Sequence, residues 1–352
     1  MPAPLTERST MTTRRRFLAI AASSAAFAGL PPLRAAAADL PASSVWRGTA
    51  LGAAASMTLV HPDRAHARAT IARCVDEIAR LETIFSLYRS DSALVRLNRD
   101  GRLDEPPGEL VELLSFALAL ARRSGGAFDP TVQPLYRLYA DHFARPGAEP
   151  EGPPPAEIAA VLASVDHEAV EVEAASIALR RPRMAITLNG VAQGFVTDRV
   201  GALLRRAGFE NVLIDIGEAL AIGRRADGRE WRAAVADPVQ PGHMLFELAM
   251  GGDPGRLPAL ATSSGSGTRF GPATRLHHLL DPRSGGSADH HAAVSVAAPQ
   301  ATLADGLSTA LSIVPPAQAA SLLASWPEAR AWFVDAAGRV STEGAGADGR
   351  IG

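Results

Sequence analysis

Late in the chain stands the stretch Leu303-Ala304-Asp305-Gly306-Leu307-Ser308-Thr309-Ala310-Leu311. If it is helical, Asp305, Ser308 and Thr309 lie three and four residues apart, and one face carries a carboxylate and two hydroxyls. Leu307, Ala310, Leu311 and Val314 then form the apolar side. Hard oxygens on one rigid face suit Mg2+, which takes carboxylate, hydroxyl, carbonyl and water ligands. The plainer alternative makes Asp305 a helix N-cap, with Ser308 and Thr309 merely solvated.

Four further loops carry glycines or hydroxyls next to strands or helix starts: Gly48–Ala53, Gly125–Thr131, Asn189–Gly194 and Thr262–Gly267. Backbone amides at such places bind phosphate without a lysine, although glycines there also serve plain turn geometry. None fits the G-x-G-x-x-G dinucleotide fingerprint. His277-His278 precedes Asp281-Pro282 in a turn-rich segment; adjacent residues of an extended chain face opposite ways, so one histidine at most serves a site. His290-His291 is the other pair, and without regular ligand spacing zinc is poorly supported. A lone general base, or a hydrogen-bonded structural histidine, fits better. Ser263-Ser264-Gly265 lacks the G-x-S-x-G nucleophile elbow. Tyr88 ends a helical pattern among polar residues, where its ring could stack on a flat heterocycle or lie half-buried at the helix end.

The elements that would position these groups alternate between helical and strand patterns, an α/β arrangement. Ile71, Val75, Ile78, Leu81, Ile84 and Phe85 predict an amphipathic helix over about Asp63–Leu87. Further helices are expected from Ser92 to Asn98, over Gly108–Arg123, Pro134–Tyr139 and Ile158–Val165, and from Phe195 through Leu204. Strands are expected at Ala55–Val60 after a glycine-bearing turn or bulge, and at Ala169–Glu173, Ser176–Arg180, Ala185–Leu188 and Asn211–Ile216. Others fall at Trp231–Ala236, Met244–Met250, Ala259–Ala261 and Ala293–Ala298, with a closing hairpin turning at Asp335-Ala336-Ala337-Gly338.

The chain has 352 residues, 47% of them hydrophobic, and a net charge of −2, enough for a sizeable core. Acidic and basic residues are mixed throughout, so no nucleic-acid face or polybasic membrane patch is advertised. Every basic residue is arginine; the absence of lysine excludes Schiff-base enzymes and Walker-type phosphate loops. The single cysteine, Cys74, sits in a helical pattern and reads as a buried apolar residue. Thr13-Arg14-Arg15-Arg16-Phe17-Leu18 precedes the apolar run Ala19–Leu30 and the small residues Ala35–Ala38, the pattern of a cleavable export signal over residues 1–38. Its paired arginines resemble a twin-arginine signal. The expectation is a periplasmic protein whose mature domain spans residues 39–352, more acidic than its precursor.

Taken in order, seven stretches resemble the ApbE family of flavin transferases (FAD:protein FMN transferases). They are Phe85–Ser92 through Asn98, Gly126–Val132 with Pro134-Leu135, Asn189–Phe195 with Asp198, Asp215-Ile216-Gly217-Glu218, Thr262–Gly265, His277–Gly285 and Ala304–Ala310. The resemblance covers roughly residues 46–315 and implies a mixed-sheet α/β, T-fold-related catalytic domain with FAD in a cleft. It implies Mg2+ held by Asp305, Thr309 and the Gly190 carbonyl, with Ser308 as a helper. FAD contacts would fall on Leu51, Tyr88, Ala127, Phe128, Asp129, Thr187, Gln193 and Leu279. One departure stands out: Gln193 occupies a position where many members carry Lys and some Glu. The implied reaction is transfer of FMN from FAD to a Thr or Ser hydroxyl of an acceptor flavoprotein, releasing AMP. His278 is the candidate base and His277 the fallback. Two other readings remain: hydrolysis of FAD to FMN and AMP, with water replacing the acceptor, and flavin binding without catalysis.

Overall fold

The described chain opens as a hairpin, β1 (Ser43–Ala50) and β2 (Ala53–Val60). Ala53, Ala55, Met57 and Leu59 point inward at every second residue of β2, the period of a strand with one buried face. The computed structural model describes residues 43–240, 242–251, 255–271 and 274–344, so the export segment expected over residues 1–38 lies outside the described residues. Helix α1 (Arg64–Phe85) follows, its start capped by Asp63, whose side chain accepts from the amides of Ala65 and His66. The predicted apolar stripe is buried, and Cys74 lies within it. Next come α2 (Ala93–Asp100), capped by Ser92, then β3 (Arg102–Asp104) and α3 (Gly108–Arg123). Helices α4 (Gln133–Phe143) and α5 (Pro155–Leu162) lead to β4 (Val170–Val172) and β5 (Ser176–Leu179).

The second half runs α6 (Ala192–Arg206), β6 (Val212–Asp215), β7 (Ala219–Ile222), β8 (Trp231–Ala236), β9 (Met244–Met250) and β10 (Ala259–Ser264). It ends with β11 (Ala293–Ala298), α7 (Ala301–Ile313), α8 (Pro316–Leu323), β12 (Arg330–Val334) and β13 (Val340–Gly344). An eight-stranded sheet has the order β1-β2-β6-β7-β10-β11-β12-β13, with each neighbouring pair antiparallel. Period-two alternation divides its side chains between two layers. Leu220, Ala259, Ala261, Val294 and Val296 face the main core under α1, α6 and α7. Ala219, Ala221, Leu260, Ala297 and Trp332 face the other way, where the two-stranded β8–β9 ribbon covers them with Trp231, Val235 and Phe246. Strand β11 is therefore buried at every residue. No helix among the described residues is long and apolar enough to cross a membrane.

Three local expectations are corrected. Ala185–Leu188 joins no sheet; its backbone is held by a side chain, with Asn98 accepting from the Ile186 amide at 2.6 Å and donating to the Ile186 carbonyl at 2.8 Å. The opening turn is made by Leu51-Gly52, and Gly48 lies inside β1, where the Trp46 ring occupies the space a Cβ would fill. Thr262, Ser263 and Ser264 complete β10 and pair with β11, whereas a loop was expected from Thr262 onward.

Candidate active site

Helices α6 and α7 approach so closely that a Cβ on Gly194 would meet the Ala301 carbonyl at 2.3 Å. Each lends a carboxylate to the other's N-terminus. Asp198 of α6 accepts from the amides of Ala301 and Thr302, both at 2.9 Å. Asp305 of α7 accepts from the Gly194 amide at 3.0 Å. Asp305 therefore sits in the second turn of its own helix and does not cap it, contrary to the plainer expectation.

Asp305 and Thr309 line a cleft of about 870 Å³. All four glycine- or hydroxyl-bearing segments contribute to it, through Leu51 and Gly52, Ala127 to Pro130, Asn189 and Gly190, and Thr262 to Ser264 at the end of β10. Leu51, Tyr88, Ala127, Phe128, Asp129, Thr187, Gln193 and Leu279 all line it, as do Gly190 and His278. A Cβ on Gly190 would lie 3.0 Å from Thr309 Oγ1 and 3.1 Å from the Phe128 ring, so only a glycine admits this contact without displacement. Two expected residues fall outside the lining. Ser308 is buried as a strut, its hydroxyl donating to the Asp305 carbonyl at 2.9 Å and lying 2.7 Å from Ser263 Oγ of β10. His277 packs its ring over Gly265, its Nδ1 accepts from the Leu279 amide at 3.3 Å, and burial pushes its pKa down. Only one histidine of the pair thus faces the cleft.

Each remaining group has a physical reason for its place. The Leu51-Gly52 turn has φ of +49° and +76°, the two positive values a two-residue hairpin turn requires. Positive φ is uncommon for leucine. Here the Leu51 amide donates to Glu82 Oε1 of α1 at 2.6 Å, fixing the turn at the cleft lip. Tyr88 is 69% exposed at the mouth. Asp129 Oδ1 accepts from the Thr131 amide at 2.7 Å and the Thr131 hydroxyl at 2.6 Å, and Oδ2 stands 2.9 Å from His167 Nδ1. That contact raises the pKa of His167. Tyr139 of α4 donates its hydroxyl to the Gly285 carbonyl at 2.9 Å and, with Leu135 and Leu280, packs the His278–Leu280 segment in place. His278 Nδ1 lies 3.2 Å from the Thr268 carbonyl, which only accepts, so Nδ1 carries a proton and in the neutral form of the ring the lone pair is on Nε2.

Acidity concentrates on one wall, and two of its carboxylates were not anticipated. Asp215 and Glu218 flank the tight turn between β6 and β7 and line the cleft with Asp305. Burial pushes Asp305 up to about 7 and Asp215 up to about 6. Glu218 is raised well above the usual range by burial and by the charges of Asp305 and Asp215. Their placement depends on the pairing of β6 with β7 and of β7 with β10, which no local spacing reveals. Among the described residues no group of three or more His, Cys, Asp or Glu is arranged to hold a metal. A set of one carboxylate, one hydroxyl and one carbonyl needs no such group, and buried carboxylates raised in this way suit a hard divalent cation.

The sequence is 29% identical over 241 residues to an FAD:protein FMN transferase of Haemophilus influenzae, covering 65% of this chain and 68% of that protein. It is 27% identical over 285 residues to the protein of the same name from Salmonella typhimurium, covering 78% and 79%. The fold matches the flavinyl transferase ApbE of Pseudomonas stutzeri in its apo form with a TM-score of 0.69 at 26% identity, over 86% of this chain and 96% of that one. It also matches ApbE from Vibrio cholerae with a TM-score of 0.73 at 22% identity, over 87% and 98%, a likeness of fold. The profile of the ApbE family fits residues 51–333, and the chain belongs to that family.

Proposed function

We propose that this protein is a Mg2+-dependent FAD:protein FMN transferase, moving FMN from FAD to a Thr or Ser hydroxyl of an acceptor flavoprotein and releasing AMP. The observation that carries this reading is the convergence of three separate loops, the end of β10 and the Asp305/Thr309 face of α7 on one cleft. The names of its relatives support the transferase class. The arginine pair and apolar run of residues 1–38 support export by the twin-arginine route to the periplasm, where the acceptor would also reside.

In this reading Asp305, Thr309 and the Gly190 carbonyl hold Mg2+, which supplies charge neutralisation at the pyrophosphate. Tyr88 and Leu51 take the flavin at the cleft mouth, and Phe128 and Leu279 exclude water deeper in. His278 Nε2 accepts the proton of the acceptor hydroxyl as that oxygen bonds to the FMN phosphorus. The bond from that phosphorus to the bridging oxygen breaks, and AMP departs with the electron pair. Positioning and electrostatics carry most of such a transfer, which explains the small number of reactive side chains. Gln193 contributes hydrogen bonding but no charge beside the phosphates.

The test is incubation with FAD, Mg2+ and a candidate acceptor. AMP together with covalently flavinylated acceptor is the expected result. AMP without flavinylation would replace transfer with FAD hydrolysis, and flavin binding without AMP would leave a binding protein.

A further inference from the structure

The turn Asp215-Ile216-Gly217-Glu218 delivers a carboxylate to the cleft that the proposed mechanism does not use. The turn is rigid: the Ile216 amide donates to the Glu218 carbonyl at 3.1 Å, and Gly217 has φ of +84°. A Cβ on Gly217 would strike Gln193 at 2.3 Å, so the turn lies directly against that side chain. One Glu218 side-chain oxygen accepts from the Thr262 amide of β10. The other, Oε2, is fully shielded and has no hydrogen-bond partner. A buried carboxylate oxygen left unpaired destabilises the fold unless something compensates it.

Nothing among the described residues does so. The charges acting on Glu218 are those of Asp305 and Asp215, and no guanidinium is among them. The charge acting on Asp305 is that of Asp198, again an acid. Lysine is absent from the whole sequence, and the neighbouring Gln193 is neutral. One wall therefore carries two buried carboxylates, Asp305 and Glu218, beside the half-buried Asp215, with no cation among the charges acting on Glu218 or Asp305, and Glu218 is held by β10 through one oxygen only. What completes such an arrangement is a divalent cation drawing on more than one carboxylate.

We propose that Glu218 is a second carboxylate ligand, beside Asp305, of the divalent cation in this cleft, so that the β6–β7 turn shares the metal site with α7. The inference rests on the cation-dependent reading above, and its test separates the two. Mn2+ is titrated into the purified full chain without FAD, with binding followed by electron paramagnetic resonance and by the metal-induced rise in Tm. Wild type should bind Mn2+. Asp305→Asn and Glu218→Gln should each weaken it at least tenfold. Metal-free Glu218→Gln should melt no lower than wild type, since the unpaired carboxylate is gone. Glu218→Asp, which keeps the charge but withdraws it by one methylene, should also bind at least tenfold more weakly and serves if Glu218→Gln fails to fold. Wild-type Mn2+ affinity in either Glu218 variant, with loss in Asp305→Asn, overturns this inference and leaves the cation reading standing. No binding by wild type overturns both.

Discussion

Two walls of the same cleft each bury an aspartate, and they treat it in opposite ways. Asp129 is saturated: the amide and hydroxyl of Thr131 bond one oxygen, and the amide and ring of His167 lie against the other. Asp305 accepts one amide hydrogen bond, from Gly194, and faces Glu218 and Asp198 instead of a cation. A carboxylate whose partners all come from its own chain is scaffolding. One that is buried and left short of partners is built for something that arrives from outside.

The sharpest way to break this contrast is to remove each carboxylate in turn. Asp305→Ala should reduce AMP release from FAD by about 10³-fold, while its unfolding free energy in urea changes by less than about 1 kcal/mol. Asp129→Ala should do the reverse. Loss of its bonds to Thr131 and His167 should cost about 2–3 kcal/mol in urea unfolding, because buried donors are left unpaired. Equal loss of stability in both variants would erase the distinction between the walls.

The second way is to vary pH. Asp305 rises from 3.8 to about 7 and Asp215 to about 6 in the folded protein, so the native state binds protons that the unfolded state releases. Their stabilising contribution is full below about 3.8 and is lost as pH rises through about 6–7. His167, also raised, adds to the same slope from the opposite wall. Without divalent cation, Tm should therefore fall by about 5 °C between pH 5 and pH 8, a fall that Mg2+ suppresses and Asp305→Asn flattens. A pH-independent Tm in wild type would contradict the described electrostatics.

The smallest effect is at the mouth. Tyr88 is largely exposed, so Tyr88→Ala should leave stability within about 0.5 kcal/mol. If its ring stacks on flavin, the same change should weaken FAD binding about fivefold, measured by quenching of flavin fluorescence.

Much of this contrast was legible in the residues, and the part that was not has a physical cause. The three-four spacing of α1 and of the Asp305/Thr309 face is a local signal and survives folding unchanged. So is the placement of glycines and hydroxyls next to strands or helix starts, which marked all four cleft segments. Ser308 and His277 lie at permitted spacings, but β10 takes the first as a strut and Gly265 makes room for the second to turn inward. Ala185–Leu188 has strand composition without a strand partner among the described residues, because Asn98 bonds Ile186 from a helix and the Pro130 carbonyl accepts from Thr187. Asp215 and Glu218 acquire their acidic neighbour Asp305 only when the sheet packs beneath α7, across a separation no local window spans.

Transfer of FMN to a protein hydroxyl is read out by intact-mass and peptide mass spectrometry of an acceptor flavoprotein co-expressed with this chain. An FMN phosphoester on a single Thr or Ser is expected with wild type and is expected to be absent with Asp305→Ala. An unmodified acceptor beside wild type that binds FAD and releases AMP would contradict it.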